Sequence, residues 1–312
     1  MNSAEINPEG PAPSVRALME ELLRKRITRA CPVTAGYSAT QRWLITTELG
    51  TRYFCKVGAS DPSRDMLRQE AWVYDRLQLP CMPDVVAWRD DAVNPVLILE
   101  DLSHCRWPPP WTDRSVAMSL KVIEGIHAVS APLLSYAERN GSDGAWWDAI
   151  RGQPEPFLRL EVVSPEWLRA SLPTLLESEA SVSPRGSTVV HCDLRSDNFC
   201  FSDSGARLVD WSLACLGNPK IDLGLFLPGL AVEHNLRPQD ILPNEAGIAS
   251  WVAGFFAWHA SKAFIPEAPR VRAMQLRHLQ AALPWAREQL GLEDLHVSYS
   301  GRQDSVDMRR EP

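Results

Sequence analysis

The chain has 312 residues, 45% of them hydrophobic, enough to bury a sizeable core and to suggest two modest domains or one domain with two lobes. A formal net charge of -7 and the lack of a basic tract argue against a nucleic-acid partner, which needs clustered Lys and Arg for its phosphates. The seven cysteines are odd in number and lack paired short spacings, as reduced thiols of a cytoplasmic protein would be; no apolar signal core opens the chain and no apolar run reaches membrane-spanning length.

Residues 1–13 read as a flexible tail. Ser14 is placed to cap a helix over 14–28, with Leu18, Met19, Leu22, Leu23 and Ile27 as its apolar stripe. Segment 31–41, CPVTAGYSATQ, is turn-rich. It is either an ordinary loop or one whose backbone amides and Ser38 hydroxyl lie over phosphates. Strands at 42–47 and 52–57 follow, joined by a turn at 49–51. In the second strand Cys55 and Val57 point to one face, Phe54 and Lys56 to the other. An inward Lys56 needs an anion, because an unpaired buried ammonium is costly; otherwise it is an edge-strand lysine.

The pattern at 63–77 predicts a helix with Met66, Leu67, Ala71, Tyr74 and Leu77 on one side and Glu70 among them. Glu70 is either solvated at the margin of that stripe or paired with a cation, for which Lys56 is the candidate. Strands at 84–88 and 95–100 end the strand-rich part, and a lobe boundary falls near 101–103. Thr112 then caps a helix over 113–129, in which His127 reads as a core or capping histidine. Trp146, Trp147 and Phe157 either belong to the core or line a pocket. A helix is predicted at 165–176; around it Glu161, Glu166, Glu177 and Glu179 read as solvated surface rather than the rim of a cation site. Helices at 246–264 and 270–290 and a polar tail from 297 complete the chain, with no internal repeat.

The polar chemistry is concentrated in 188–222. Val189 and Val190 lead into a loop carrying His191, Asp193, Arg195, Asp197 and Asn198. Residues 199–201 and 206–209 read as two short strands joined by a turn at 202–205, and the second delivers Asp210. One hairpin thus carries Asp193 and Asn198 on its entry side and Asp210 on its exit side.

These residues resemble the aminoglycoside phosphotransferase and choline kinase-like family of small-molecule kinases, distant relatives of protein kinases, over about 30–290. The resemblance rests on HCDLRSDN at 191–198, on Val209-Asp210-Trp211, and on Gly217-Asn218-Pro219 with Asp222. It implies an α+β, protein-kinase-like two-lobed fold: a small mixed-sheet N-lobe (14–101) that binds nucleotide and a larger helical C-lobe (102–296) for catalysis and acceptor binding. ATP and Mg²⁺ are the implied cofactors. Asp193 is then the catalytic aspartate that accepts or orients the acceptor proton, and Asn198 and Asp210 are the magnesium ligands. Lys56 would touch the α and β phosphates with Glu70 fixing it, Ser38 would lie at the phosphates, and backbone groups around Glu100 and Leu102 would meet adenine. His191 and Asp222 would brace the loop.

Arg195 either stabilises charge on the transferred phosphate or pairs with a nearby acid. Cys192 stands where relatives usually carry glycine, so its backbone has an ordinary φ or the loop carries strain. The short segment between Asp210 and Asp222 leaves little room for a protein-kinase activation segment. The implied acceptor is a small hydroxyl-bearing, cationic molecule, with an aminoglycoside or related antibiotic (and so antibiotic resistance) first and a choline-like amino alcohol or sugar-like metabolite as the alternative. A non-catalytic nucleotide-binding or scaffold protein on the same fold is the rival class. Several carboxylates around the acceptor would suit an aminoglycoside; aromatic rings wrapped about a cation would suit choline.

Overall fold

The computed structural model describes residues 10–34, 36–37 and 39–294. Its architecture is α+β: a sheet-containing N-terminal region followed by a helical C-terminal region, the two-lobed plan of a kinase. The first region holds α1 (Pro13–Leu23), β1 (Ile27–Pro32), β2 (Gln41–Thr47), β3 (Arg52–Val57), α2 (Asp61–Arg76), β4 (Val85–Arg89) and β5 (Val96–Glu100). The sheet order is β1-β2-β3-β5-β4. The sheet expected as mixed pairs through antiparallel neighbours throughout, because β4 lies at the far edge and the chain doubles back to insert β5 beside β3.

Period-2 alternation divides the sheet between two cores. Trp43, Ile45, Cys55, Val57, Val96 and Ile98 pack under α1 with Val15, Met19 and Leu23. Leu97 and Leu99 point the other way, into the large core shared with α2 and the C-terminal region. Phe54 packs against that same core, and its strand-mate Lys56 is buried.

The first helix is shorter than expected. It ends at Leu23 because Arg24 turns left-handed (φ 51°) and its N–H bonds back to Glu20 and Glu21 carbonyls. Ile27 and Thr28 therefore lie in or at β1, although Ile27 stays in the core. The expected cap at Ser14 is absent; Ala12 is the N-cap and Pro13 opens the helix. Cys31 and Pro32 continue β1 rather than joining the loop. The expected tails fall mostly outside the described residues, at 1–9 and from 295 on.

The helical region comprises α3 (Asp113–His127), α4 (Tyr136–Asn140), α5 (Trp146–Gly152), α6 (Glu155–Leu158), α7 (Pro165–Ala180), α8 (Pro219–His234), α9 (Pro238–Ile241), α10 (Ala246–Ala260) and α11 (Val271–Leu290). Two short ladders sit among them: β6 (Thr188–Val190) with β9 (Cys215–Gly217), and the hairpin β7 (Phe199–Ser202) with β8 (Gly205–Leu208). Helix α8 was hidden by Gly224, Pro228 and Gly229, which read as breakers. Gly224 has a packing reason: a Cβ there would stand 2.7 Å from Ile248 Cγ2, so its absence lets α8 and α10 approach closely. No helix among the described residues is long and apolar enough to cross a membrane. All seven cysteines are free.

Trp147 and Phe157 are core residues, and Trp146 packs edge-on against Trp251 and Phe255. Glu161, Glu166 and Glu177 are exposed as expected, but Glu179 is not surface. It is buried and accepts the N–H of Trp146 (3.0 Å) and of Trp147 (3.1 Å), capping α5 from the end of α7. The orphan amides of a buried helix start explain the placement. Burial pushes the Glu179 carboxyl up to about 7, against the pull of the two amides.

A carboxyl raised in the folded state binds its proton more tightly there than in the unfolded chain, so its contribution to stability is full below about pH 4.5 and is lost as pH rises through about 7. Glu179→Gln keeps an acceptor without the charge. Urea unfolding from pH 5 to 8 should show the wild type losing on the order of 3 kcal/mol more than the variant. Parallel pH curves would contradict this.

Candidate active site

Register builds the cleft. The turn after β2 pairs Arg42 with Lys56 and Leu44 with Phe54, so alternate residues of β2 and β3 present one face to α2. Lys56 Nζ lies 2.8 Å from both Glu70 carboxylate oxygens and 3.3 Å from Asp210 Oδ1. The pairing expected from the helical stripe is present, and it is buried on both sides. Burial alone would strip the Lys56 proton, but Asp210 and Glu70 hold it, and its pKa lies above the ordinary value. Burial likewise opposes ionisation of Asp210, yet Lys56, Arg42 and Arg195 keep its carboxyl well below the usual carboxylate range.

The polar loop after β6 is fixed from behind by Asp222, in the first turn of α8. Its Oδ2 accepts the His191 N–H (3.0 Å) and its Oδ1 the Cys192 N–H (2.7 Å). His127 Nε2 completes the set at 3.0 Å from Oδ2, so that histidine braces this carboxylate. Cys192 adopts φ 61°, which settles the alternative left open by its missing glycine: the loop carries the strain. Its Sγ lies 3.6 Å from Cys215 Sγ. The His191 ring is buried and held neutral, pushed down to about 4 by that burial. Its Nδ1 accepts the Asp193 N–H (3.3 Å) and its Nε2–H donates to Val209 C=O (3.2 Å). The ring thus ties the loop to the end of β8.

Asp193 Oδ2 accepts from Asn198 Nδ2 (3.1 Å), which also reaches the Asp193 C=O (2.8 Å). Asp193 Oδ1 pairs with Arg195. Burial raises the Asp193 carboxyl to about 6, with Arg195 opposing. Arg195 also reaches Asp197 through Nε (2.9 Å) and lies over the Tyr37 ring at 4.9 Å. Pairing with nearby acids is therefore the arrangement of Arg195 here. Asp210 begins a 3-10 turn with φ 67°, beside Lys56 and with Ser212 Oγ 3.4 Å from its Oδ1.

The remaining sequence candidates are placed less tightly. The Leu102 carbonyl accepts from Cys105 N–H (3.0 Å) and Trp107 Nε1 (3.2 Å), so its N–H is the backbone group left to offer. The Glu100 side chain accepts from Asp84 N–H (3.2 Å) and pairs with Arg207 (3.6 Å). Ser38 lies outside the described residues. Its neighbour Gly36, at φ 101°, has the Arg42 guanidinium about 3.0 Å from where a Cβ would stand, so this one glycine of the loop is needed for close approach.

Sequence reasoning missed several residues of the site. Arg42 was legible from hairpin register alone, two residues along the cleft-facing row. Tyr37, Phe255, Phe256, Met274, Gln275 and His278 line a cavity of about 220 Å³ beside Asp193 and Arg195. No local motif marks them, because they come from one loop and two helices far apart in the chain.

Removing one partner of the buried ion pair strands the other. Glu70→Ala should lower unfolding stability by about 3–5 kcal/mol in urea titration. The double variant Lys56→Met/Glu70→Leu should recover at least half, since Arg42 remains to balance Asp210. A double variant no more stable than Glu70→Ala would contradict this.

Known proteins share the family pattern and the fold. The family model described as "Phosphotransferase enzyme family" matches residues 29–288. An aminoglycoside phosphotransferase from Alicyclobacillus acidocaldarius subsp. acidocaldarius DSM 446 is similar with TM-score 0.53 and 14% identity, covering 93% of this chain and 99% of that one. A protein from Thermobifida fusca YX-ER1, provisionally assigned as a fructosamine-3-kinase, is similar with TM-score 0.52 and 19% identity, covering 88% and 100%. These likenesses show a shared fold. Comparison with curated proteins finds no match. The chain belongs to the phosphotransferase enzyme family, the aminoglycoside phosphotransferase and choline kinase-like group.

Proposed function

We propose that the protein moves the γ-phosphate of ATP to a hydroxyl of a small molecule, with Mg²⁺. The observation that carries this reading is the convergence of two pairs, Lys56 with Asp210 at 3.3 Å and Asn198 with Asp193 at 3.1 Å, tied through the backbone where the N–H of Val209, next to Asp210, donates to the Asn198 carbonyl at 2.9 Å.

The donor set suits magnesium. Asn198 spends its amide N–H on Asp193, so its Oδ1 remains, and Asp210 Oδ2 has no partner among the described residues. Both are hard oxygen donors, and Asp210 is kept ionised. Bound there, the ion would neutralise charge on the phosphate oxygens.

The chain's own residues do the rest. Lys56, fixed by Glu70, would hold the α and β phosphates, and Ser38 is assigned to the same phosphates. Backbone groups near Glu100 and Leu102, at a lobe boundary near 101–103, would meet the adenine. Asp193 receives the proton as the acceptor oxygen bonds to phosphorus and the bond from phosphorus to the departing ADP oxygen breaks. Its carboxyl, raised to about 6, is ionised at neutral pH yet basic enough to take that proton. Arg195 neutralises the acids around it and steadies Asp193, while His191 and Asp222 hold the loop in place. Free thiols and the use of ATP support a cytoplasmic reaction.

The test is nucleotide consumption in Mg²⁺ against a panel of hydroxyl compounds, with mass spectrometry of each mixture. One phosphoryl group gained by an acceptor is the expected result. Asp193→Ala should lower turnover by about 10²–10⁴-fold while nucleotide binding stays within about threefold. Unchanged turnover in that variant would sink the mechanism. Failure of the native chain to bind Mg-nucleotide would favour a scaffold role.

A further inference from the structure

The cavity beside Asp193 is walled by Leu213, Leu225, Phe255, Phe256, Val271 and Met274. Among the described residues its lining carboxylates are Asp193 and Asp210, and both are engaged, with Arg195 and Lys56 respectively. Adjoining space that shares Tyr37, Arg195, Met274 and His278 adds two acids, and both are engaged: Asp197 with Arg195, and Glu233 with Trp111 Nε1 and Ser196 Oγ. No three-sided aromatic cage is present among the described residues, because the Tyr37 ring already has Arg195 over it at 4.9 Å and Arg270 at 5.6 Å. A cationic ligand against this wall would meet these guanidinium groups, while the acids nearest the wall are already paired.

Two polar groups face this apolar space. His278 is 8% exposed, and its ring nitrogens have no hydrogen-bond partner among the described residues. Its ring is set edge-on to Phe256 at 5.1 Å. Burial pushes His278 down to about 4, so it is a neutral imidazole at physiological pH. Gln275 is also 8% exposed. Its Oε1 is fixed by Arg272 Nη1 at 2.9 Å, which leaves the Nε2–H groups as donors. The His278 nitrogens are not among the fully enclosed polar atoms that lack a partner, so they are open to water or to a ligand in the cavity. The complement to a fixed amide donor beside a neutral imidazole is a hydroxyl, carbonyl or ether oxygen. An ammonium group cannot accept from Gln275.

We propose that the acceptor is a neutral, mainly apolar alcohol, whose reacting hydroxyl meets Asp193 and whose second oxygen is held by His278 and Gln275. This rests on the phosphotransfer reading above and names its substrate class. A 150 Å³ apolar cavity holds benzene, so about 220 Å³ in this half-open cleft has room for a group of about ten non-hydrogen atoms. One aromatic or alicyclic ring with a short chain fits that size.

The test is calorimetric binding to the full chain with Mg²⁺ and a non-hydrolysable ATP analogue. The probes are 4-(hydroxymethyl)acetophenone, 4-methoxybenzyl alcohol, choline and kanamycin. At least one of the neutral alcohols should bind at least tenfold more tightly than choline and kanamycin. His278→Ala should weaken it about tenfold. Met274→Glu, which adds a carboxylate to the wall, should weaken the neutral alcohol and favour choline, and it serves if His278→Ala fails to fold. Choline or kanamycin binding as tightly as the neutral alcohols, or no binding by either alcohol, would overturn the proposal. Turnover of the same compounds with ATP separates the two readings: a neutral alcohol that binds without being phosphorylated contradicts phosphotransfer and leaves the pocket assignment standing.

Discussion

One buried carboxylate organises the centre of this protein. Asp222 is 2% exposed and accepts from the backbone of His191 and Cys192, with His127 beside it. The left-handed turn at Cys192 costs about 1–2 kcal/mol for a residue with a Cβ. Hydrogen bonds to a charged acceptor contribute about 1.5–3 kcal/mol each, so the two amide bonds outweigh that cost. The strain is thereby converted into a direction: after Cys192 the chain emerges with Asp193 turned toward Asn198 and the cleft. Asp222 reaches this position because it opens α8, where a carboxylate also suits the helix dipole.

A second constraint, charge balance in the cleft, joins the sheet to the helical region. Lys56 and Arg42 enter from the sheet, Glu70 from α2 and Asp210 from the end of β8. None could be buried alone at tolerable cost. Together they compensate, and the requirement for compensation fixes how the strand, the helix and the hairpin meet. The histidine between the loop and Val209 adds a neutral strut to this charged frame.

Much of this was legible in the sequence because it is local. The hairpin at 199–208, the pairing of β2 with β3 and the Lys56–Glu70 contact follow from alternation, a turn and a helical stripe. What could not be read depends on distant pieces. The burial of Glu179 is decided by a helix start that no pattern announces. Helix α8 contains Gly224, Pro228 and Gly229, whose unfavourable propensities are outweighed by close packing on α10. The cavity wall is assembled from α10, α11 and a loop of the sheet region, so its lining has no contiguous motif. The Cys192 turn showed its residue but not its φ, because the outcome rested on Asp222, thirty residues downstream.

The contact between Arg270 and the loop at 34–37 has a further consequence. Arg270 is the N-cap of α11, and its Nη2 meets the carbonyls of Thr34 (2.9 Å) and Gly36 (2.7 Å) while its guanidinium covers Tyr37. The next turns of α11 carry Met274, Gln275 and His278. The segment next to the cleft-facing strands is therefore latched to the helix that walls the cavity. The latch consists of two backbone carbonyls held by one guanidinium. One side chain, Arg270, thus sets the spacing between the cavity wall and the loop that leads into β2.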